Sequence, residues 1–303
     1  MWYDMRFGHK TLWGDREFIP SLSRFTVETI PAWDARNLLV NRGTLLIIND
    51  ALRERGSLSE GDRRTLIRHA VKAIIGYGDS LLYFFGQYHW SYRQKMERVA
   101  ADTRIPVEFR RLYARAGAFR LRPNYPEWLE HDPVEFAAGL RDALAPIHLQ
   151  VEQLRLHRPN LNWETYAEAA FAATLNHDWN LRSTAKRALY LIRGNGVSVG
   201  ASGLSPVAQI GLRTGGPREM LAILFPQVAY DLACPPYRHL TAPLFCTAKA
   251  REQMPCGEPI CGSGVSMEIS TLPRCCKSSG FRWKEAPQNE LIPNIPPADL
   301  PDR

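Results

Sequence analysis

The stretch 60–87 constrains the fold more than any other part of the chain. At 100° per residue, Leu66, Ala70, Ile74, Tyr77, Leu81, Phe84 and Phe85 share one side of a helix. Ile67, Val71, Ile75 and Leu82 widen that side to an arc of about 200°, against the ~100° stripe of a helix lying on a surface. Such a helix must be enclosed on most sides, so it belongs at the centre of a helical assembly. Ser59, with Asp62 three residues later, reads as the variant capping box that starts it. The remaining narrow stripe holds Arg68, Lys72, Gly76, Asp79, Tyr83 and Gly86. Lys72 and Asp79 are two turns apart, ~10 Å at 1.5 Å per residue, too far to satisfy each other. The stripe reads as a solvent edge, a ligand-facing wall or a set of internal ion pairs. Its sharpest form is a polar cleft shared with the preceding helix near Asn41 or Arg42.

Periodicity and end signals place the other helices. One runs over about 33–55, ending at Gly56, and its Asn41 falls on the same face as Leu45, Ile48 and Leu52. Asn41 there needs partners for its amide, or orients a ligand together with Arg36 or Arg42. Further helices are expected over about 91–102, 106–119, 132–155 (opened by Asp132-Pro133), from Asn162, over 182–193 and over 217–233. Residues 1–30 read as strand or turn. The fold class is mainly α, a multi-helix bundle or array with a disordered Cys/Pro-rich C-terminal extension. The organisation read from this is a helical core over 1–130, a second helical part over 131–245 packed on it, and a poorly ordered tail over 246–303.

The 38 basic and 31 acidic residues leave a formal charge of +7, and the segment 60–122 carries all of it, with 13 basic against 6 acidic residues. That concentration suits a nucleotide, RNA or an anionic surface, or simply a solvated face. The apolar runs 70–86 and 220–233 are interrupted by charges and are shorter than the ~20 residues of a membrane span. A cytoplasmic protein with no membrane partner and no cofactor is the expectation. All six cysteines, Cys234 to Cys276, follow residue 233, without a C-x-x-C. Zinc, a disulfide framework and an unstructured extension or altered reading frame remain open for them.

Two catalytic-looking motifs lack their setting. Gly196-Val197-Ser198-Val199-Gly200 matches G-x-S-x-G, with Asp231 and His239 following, but the sequence predicts no parallel sheet to carry it. Arg64-x4-His69 matches a short pattern of helical ribonucleases, where an Arg polarises a phosphate and a His moves a proton. No phosphate-binding loop, no H-E-x-x-H and no paired-carboxylate array of the D-x-D kind occurs.

The segments Trp2-Tyr-Asp-Met-Arg-Phe-Gly8, Ala35-Arg-Asn-Leu-Leu-Val-Asn-Arg42, Lys72-Ala-Ile-Ile-Gly-Tyr-Gly-Asp79 and Gly86-Gln-Tyr-His-Trp-Ser-Tyr-Arg93 carry a resemblance. Together they resemble the helical C-terminal region of bacterial and archaeal proteins that begin with a nucleotidyltransferase-like domain. The similarity spans about residues 1–230. It implies an accessory or substrate-binding module, not catalytically competent alone, whose partners are a nucleotidyltransferase palm domain or an anionic small-molecule substrate. The chain would then be the accessory part alone or a truncated product, since no palm carboxylates are present to carry over. The same resemblance implies a polar wall made by Arg36, Asn41, Arg42, Lys72, Asp79, Tyr88, Tyr92 and Arg93. It would form a concave site lined by the helices 33–55 and 60–87. The rivals are an all-α protein-interaction module and a helical ribonuclease using Arg64 and His69.

Overall fold

The computed structural model describes residues 2–176, 181–193, 204–230 and 232, all within the compact unit Met1–Pro255. Among them are eleven α-helices and no strand, so the chain is mainly α. Helix α1 spans Trp2–Gly8, α2 Ala32–Arg53, α3 Glu60–Phe84, α4 Tyr92–Ala101, α5 Val107–Leu121 and α6 Tyr125–Leu129. They are followed by α7 Pro133–Leu156, α8 Trp163–Ala173, α9 Leu181–Arg193, α10 Pro206–Thr214 and α11 Pro217–Ala229. The N-terminal segment is helical and then turned, where strand or turn was expected. Arg6 of α1 donates to the carbonyls of Pro20, Ser23 and Phe25 and so fixes the loop.

Helices α2 and α3 form an antiparallel hairpin. Asn49 Nδ2 donates to the Leu66 carbonyl at 3.3 Å, Ser80 Oγ to the Ala35 carbonyl at 2.7 Å and Tyr83 Oη to the Ile30 carbonyl at 2.6 Å. The capping box at Ser59 is present: its Oγ accepts from Asp62 N, and Asp62 Oδ2 accepts from Ser59 N. Every residue from Ala73 to Leu82 is buried, so α3 is the axis of the assembly. Helices α2, α4, α5, α6 and α7 surround it and supply Leu39, Leu46, Val99, Tyr113, Trp128, Leu140, Leu144 and Val151 to one core.

Helix α7 begins where Asp132 Oδ1 accepts from Val134 N, with Pro133 at the first helical position, and ends at His157 in the left-handed region. Past it, α8, α10 and α11 share a second core of Tyr166, Phe171, Ala208, Leu212, Met220 and Leu224. Asn162 caps α8 through Thr165. Helix α9 contributes no buried residue. No helix among the described residues is long and apolar enough to cross a membrane. The six cysteines, the G-x-S-x-G loop with Asp231 and His239, and the C-terminal extension lie outside the described residues.

Candidate anion-binding surface

The predicted site residues separate into three places. The first is the outer seam of the α2–α3 hairpin. Arg42 lies across α3 at Gly76, where a Cβ would come within 2.4 Å of Arg42 Cγ. The missing side chain is what lets the arginine stem cross. Lys72 is one turn before Gly76 on the same face of α3, a separation of ~6 Å. Asn41, Arg42 and Lys72 are all exposed. Arg42 and Lys72 make no ion pair or hydrogen bond among the described residues. Their helical neighbours are Leu38, Leu45 and Leu46 beside Arg42, and Arg68, His69 and Gly76 beside Lys72, with no acid in either set. The buried amide on α2 is Asn49, held by Leu66 and by His69 Nδ1 at 2.9 Å, and Asn41 faces outward.

The second place is an interior network about two turns further along α3. Lys95 Nζ of α4 donates to Asp79 Oδ2 at 2.8 Å, and Tyr113 Oη of α5 donates to Asp79 Oδ1 at 2.9 Å. Lys95 also donates to Tyr88 Oη at 3.2 Å, and Tyr88 donates to Asp4 Oδ1 of α1 at 2.9 Å. The ammonium rests over the rings of Tyr88 and Tyr92, 4.3 and 5.0 Å from their centroids. Burial pushes the Asp79 carboxyl above its ordinary range, and this outweighs the downward pull of Lys95 and Tyr113. Asp79 is thus an internal ion-pair partner, not one side of a cleft with Lys72. Arg93, exposed on α4, joins neither group.

The third place holds Arg36. Its Nε donates to Glu152 Oε1 of α7 at 3.2 Å and its Nη2 to Tyr166 Oη of α8 at 3.3 Å. Arg155 grips the other oxygen of Glu152 at 2.9 and 2.6 Å. Burial works against ionisation of Glu152, yet Arg155 and Arg36 hold its pKa down to about 2. One turn earlier, His148 is fully enclosed by Tyr77, Trp163, Tyr166, Phe225 and Tyr230. Its Nδ1 is 2.9 Å from Tyr230 Oη, which also meets Tyr77 Oη. Burial drives the His148 pKa down to about 3, so the ring is neutral. The Arg36–Glu152–Tyr166 contacts and the His148–Tyr230–Tyr77 contacts together tie α2, α3, α7, α8 and Tyr230.

Sequence reasoning missed Lys95, Tyr113, His148 and Glu152. A signal existed for the last two: they stand one turn apart on the same side of a helix as Leu144, Ile147 and Val151. Arg64 and His69, five residues apart, project ~140° from each other. Arg64 pairs with Glu60 at 2.6 Å while His69 is turned toward Asn49. Two depressions indent the described surface, about 490 Å³ beside Phe85, Arg104, Gln150 and His157, and about 280 Å³ beside Gln87, Arg98 and Asp102. Neither takes a side chain from α2, so Arg42 and Lys72 lie on an open seam and not in these hollows. Comparison with family models, with curated proteins and with solved structures found no match.

Proposed function

We propose that the chain is a helical accessory or substrate-binding module of a nucleotidyltransferase-like system, and that the α2–α3 seam is its contact with anionic substrate. The observation that carries this reading is that Arg42 crosses α3 at Gly76, one turn from exposed Lys72, with no acid among the helical neighbours of either. A guanidinium and an ammonium about one side chain apart suit a di- or triphosphate, which carries several oxyanions in a short span. Beside them, exposed Ile48 and half-buried Leu45 and Leu52 line the outer side of α2. That apolar strip gives a palm domain a surface to cover while the seam faces the shared substrate. The interior network around Asp79 and the Arg36–Glu152 chain act as supports that fix α3 and α2 beneath it.

Calorimetric titration of the full chain with ATP at low salt tests the reading. Binding should weaken about tenfold, ~1.4 kcal/mol, on Lys72→Glu or Arg42→Glu, and weaken with added salt. Arg93→Glu, away from the seam, should leave it unchanged. No binding by the wild-type chain, or an equal loss with Arg93→Glu, would overturn the assignment. With Mg²⁺ present, the chain alone should release no pyrophosphate from the nucleotide. Release that persists through purification and disappears in a point variant would refute the accessory role.

A further inference from the structure

Helix α9 stands apart from the other helices. It carries Arg182, Lys186, Arg187 and Arg193 and no acidic residue. On a helical wheel Leu191, Ala188, Leu181, Ile192, Ala185 and Leu189 span an arc of about 160°, which Thr184 alone interrupts. All six are exposed, Leu181 at 90% and Ile192 at 83%. Along one border of the arc, within about 40° of each other, come Arg182, Arg193 and Lys186. The side turned to the body is narrow: Ser183, Arg187 and Tyr190 are half-buried, and the Arg187 guanidinium donates to the Thr174 carbonyl. The helix is therefore anchored by its polar side and shows its apolar side outward. Adjoining α10 adds exposed Val207 and Ile210.

We infer that α9 is an in-plane docking helix for an anionic phospholipid surface. An amphipathic helix with a broad apolar arc and basic flanks lies at the boundary between headgroups and acyl chains, its charges at the phosphates. Three observations select that occupant. The row of Arg182, Lys186 and Arg193 with no acid among it calls for a negatively charged counter-surface. A second copy would bring the same cations against themselves. The chain's own C-terminal stretch 246–303 holds seven basic and seven acidic residues, so it supplies no compensating charge excess. A partner that wraps a helix in a groove needs access to its flanks, whereas α9 already has one side fixed to the body, which leaves room for a flat surface. The sequence reading offered no membrane partner because it tested apolar runs only for length enough to span and looked for an anionic surface only at 60–122, and a 13-residue in-plane helix at 181–193 meets neither test.

Vesicle flotation of the full chain decides the matter. The chain should float with vesicles of mixed phosphatidylcholine and phosphatidylserine and stay behind with phosphatidylcholine alone. Lys186→Glu should lower the anionic binding about tenfold or more, and high salt should lower it too. Ile192→Asp combined with Leu181→Asp should abolish it while the far-ultraviolet circular dichroism of these exposed-site variants stays that of the parent. Absence of flotation, equal flotation with neutral vesicles, or retained binding in the double variant each overturns the inference. Concentration-dependent self-association that the double variant removes, without flotation, assigns the face to a second copy and overturns it as well. None of these readings depends on nucleotide binding at the α2–α3 seam.

Discussion

Helix α3 and helix α9 invert what their compositions suggest. Helix α3 carries Asp79 and still has ten successive buried residues, whereas α9 carries leucines and isoleucine and has none. The difference lies in partners. Asp79 meets Lys95 and Tyr113, and Arg36 meets Glu152, so each of these buried charges has a counter-group from another helix. Nothing among the described residues covers the outer arc of α9. A charge is kept inside this fold where a distant segment supplies its pair, and an apolar side chain stays outside where none supplies a cover.

The sharpest way to break that comparison is to charge the interior with acid. His148 has a reference pKa of 6.5 and one of about 3 in the fold. Between those values the unfolded chain takes up a proton that the folded chain refuses, so stability falls as pH drops from about 6.5 toward 3. Glu152 adds to this: its contribution is present above its reference value of 4.5 and is lost as pH falls toward about 2. At ~1.4 kcal/mol per unit, the His148 window alone amounts to about 5 kcal/mol. Urea midpoints should drop steeply between pH 7 and pH 4. A chain equally stable at both would show that the His148 cage opens to solvent.

A smaller effect comes from orphaning one buried charge. Lys95→Met should cost about 3–5 kcal/mol, because Asp79 is left enclosed without its cation. Pairing it with Asp79→Leu should recover much of that loss, and the non-additivity in a denaturation cycle is the measure. Simple additivity would mean that the two side chains do not share the network.

How much of this was legible in sequence follows from where the information lies. Caps are local, so Ser59–Asp62, Asp132 and Asn162 were readable, and α2, α3, α7, α8 and α9 begin within a residue or two of expectation. Helices α1, α6 and α10 were not foreseen: α1 and α6 are short, and α10 is opened by Ser205 next to a glycine-rich run. The centrality of α3 followed from its wide arc. The orientation of α2 did not, because Leu38, Leu39, Val40, Leu45, Leu46, Ile47 and Ile48 are apolar all round the wheel. The choice between Asn41 and Asn49 therefore needed the partner helix. The pairs Asp79–Lys95 and Arg36–Glu152 are tertiary and are separated by 16 and 116 residues, beyond any helical period.

A third test compares backbone fit in the two regions. A Cβ at Gly78 would lie 2.2 Å from the Tyr113 ring, so Gly78→Ala should destabilise by about 1–3 kcal/mol despite its better helix propensity. The reverse change in α9, Ala188→Gly, should cost no more than about 1 kcal/mol, the propensity difference alone. Thermal melting of both variants sets the contrast. Equal losses would place α9 under packing constraints like those of α3.

The smallest expected effect distinguishes the two ends of the polar stripe of α3 itself. Lys72 and Asp79 occupy one stripe by helical wheel, yet Lys72 is exposed and Asp79 is enclosed. The neighbours explain the split: α4 and α5 cover the Asp79 end, while the Lys72 turn looks out past α2 over the Arg42 stem. An exposed ammonium with no ion pair gives up little when replaced, since water solvates it equally in the folded and unfolded chains. Lys72→Met should therefore change the unfolding free energy by less than about 0.5 kcal/mol. A loss of 2 kcal/mol or more, roughly the scale of a buried-charge defect, would mean that Lys72 is held by a counter-charge in the folded chain. The seam would then be a structural ion pair, and its cations would not be available to a phosphate.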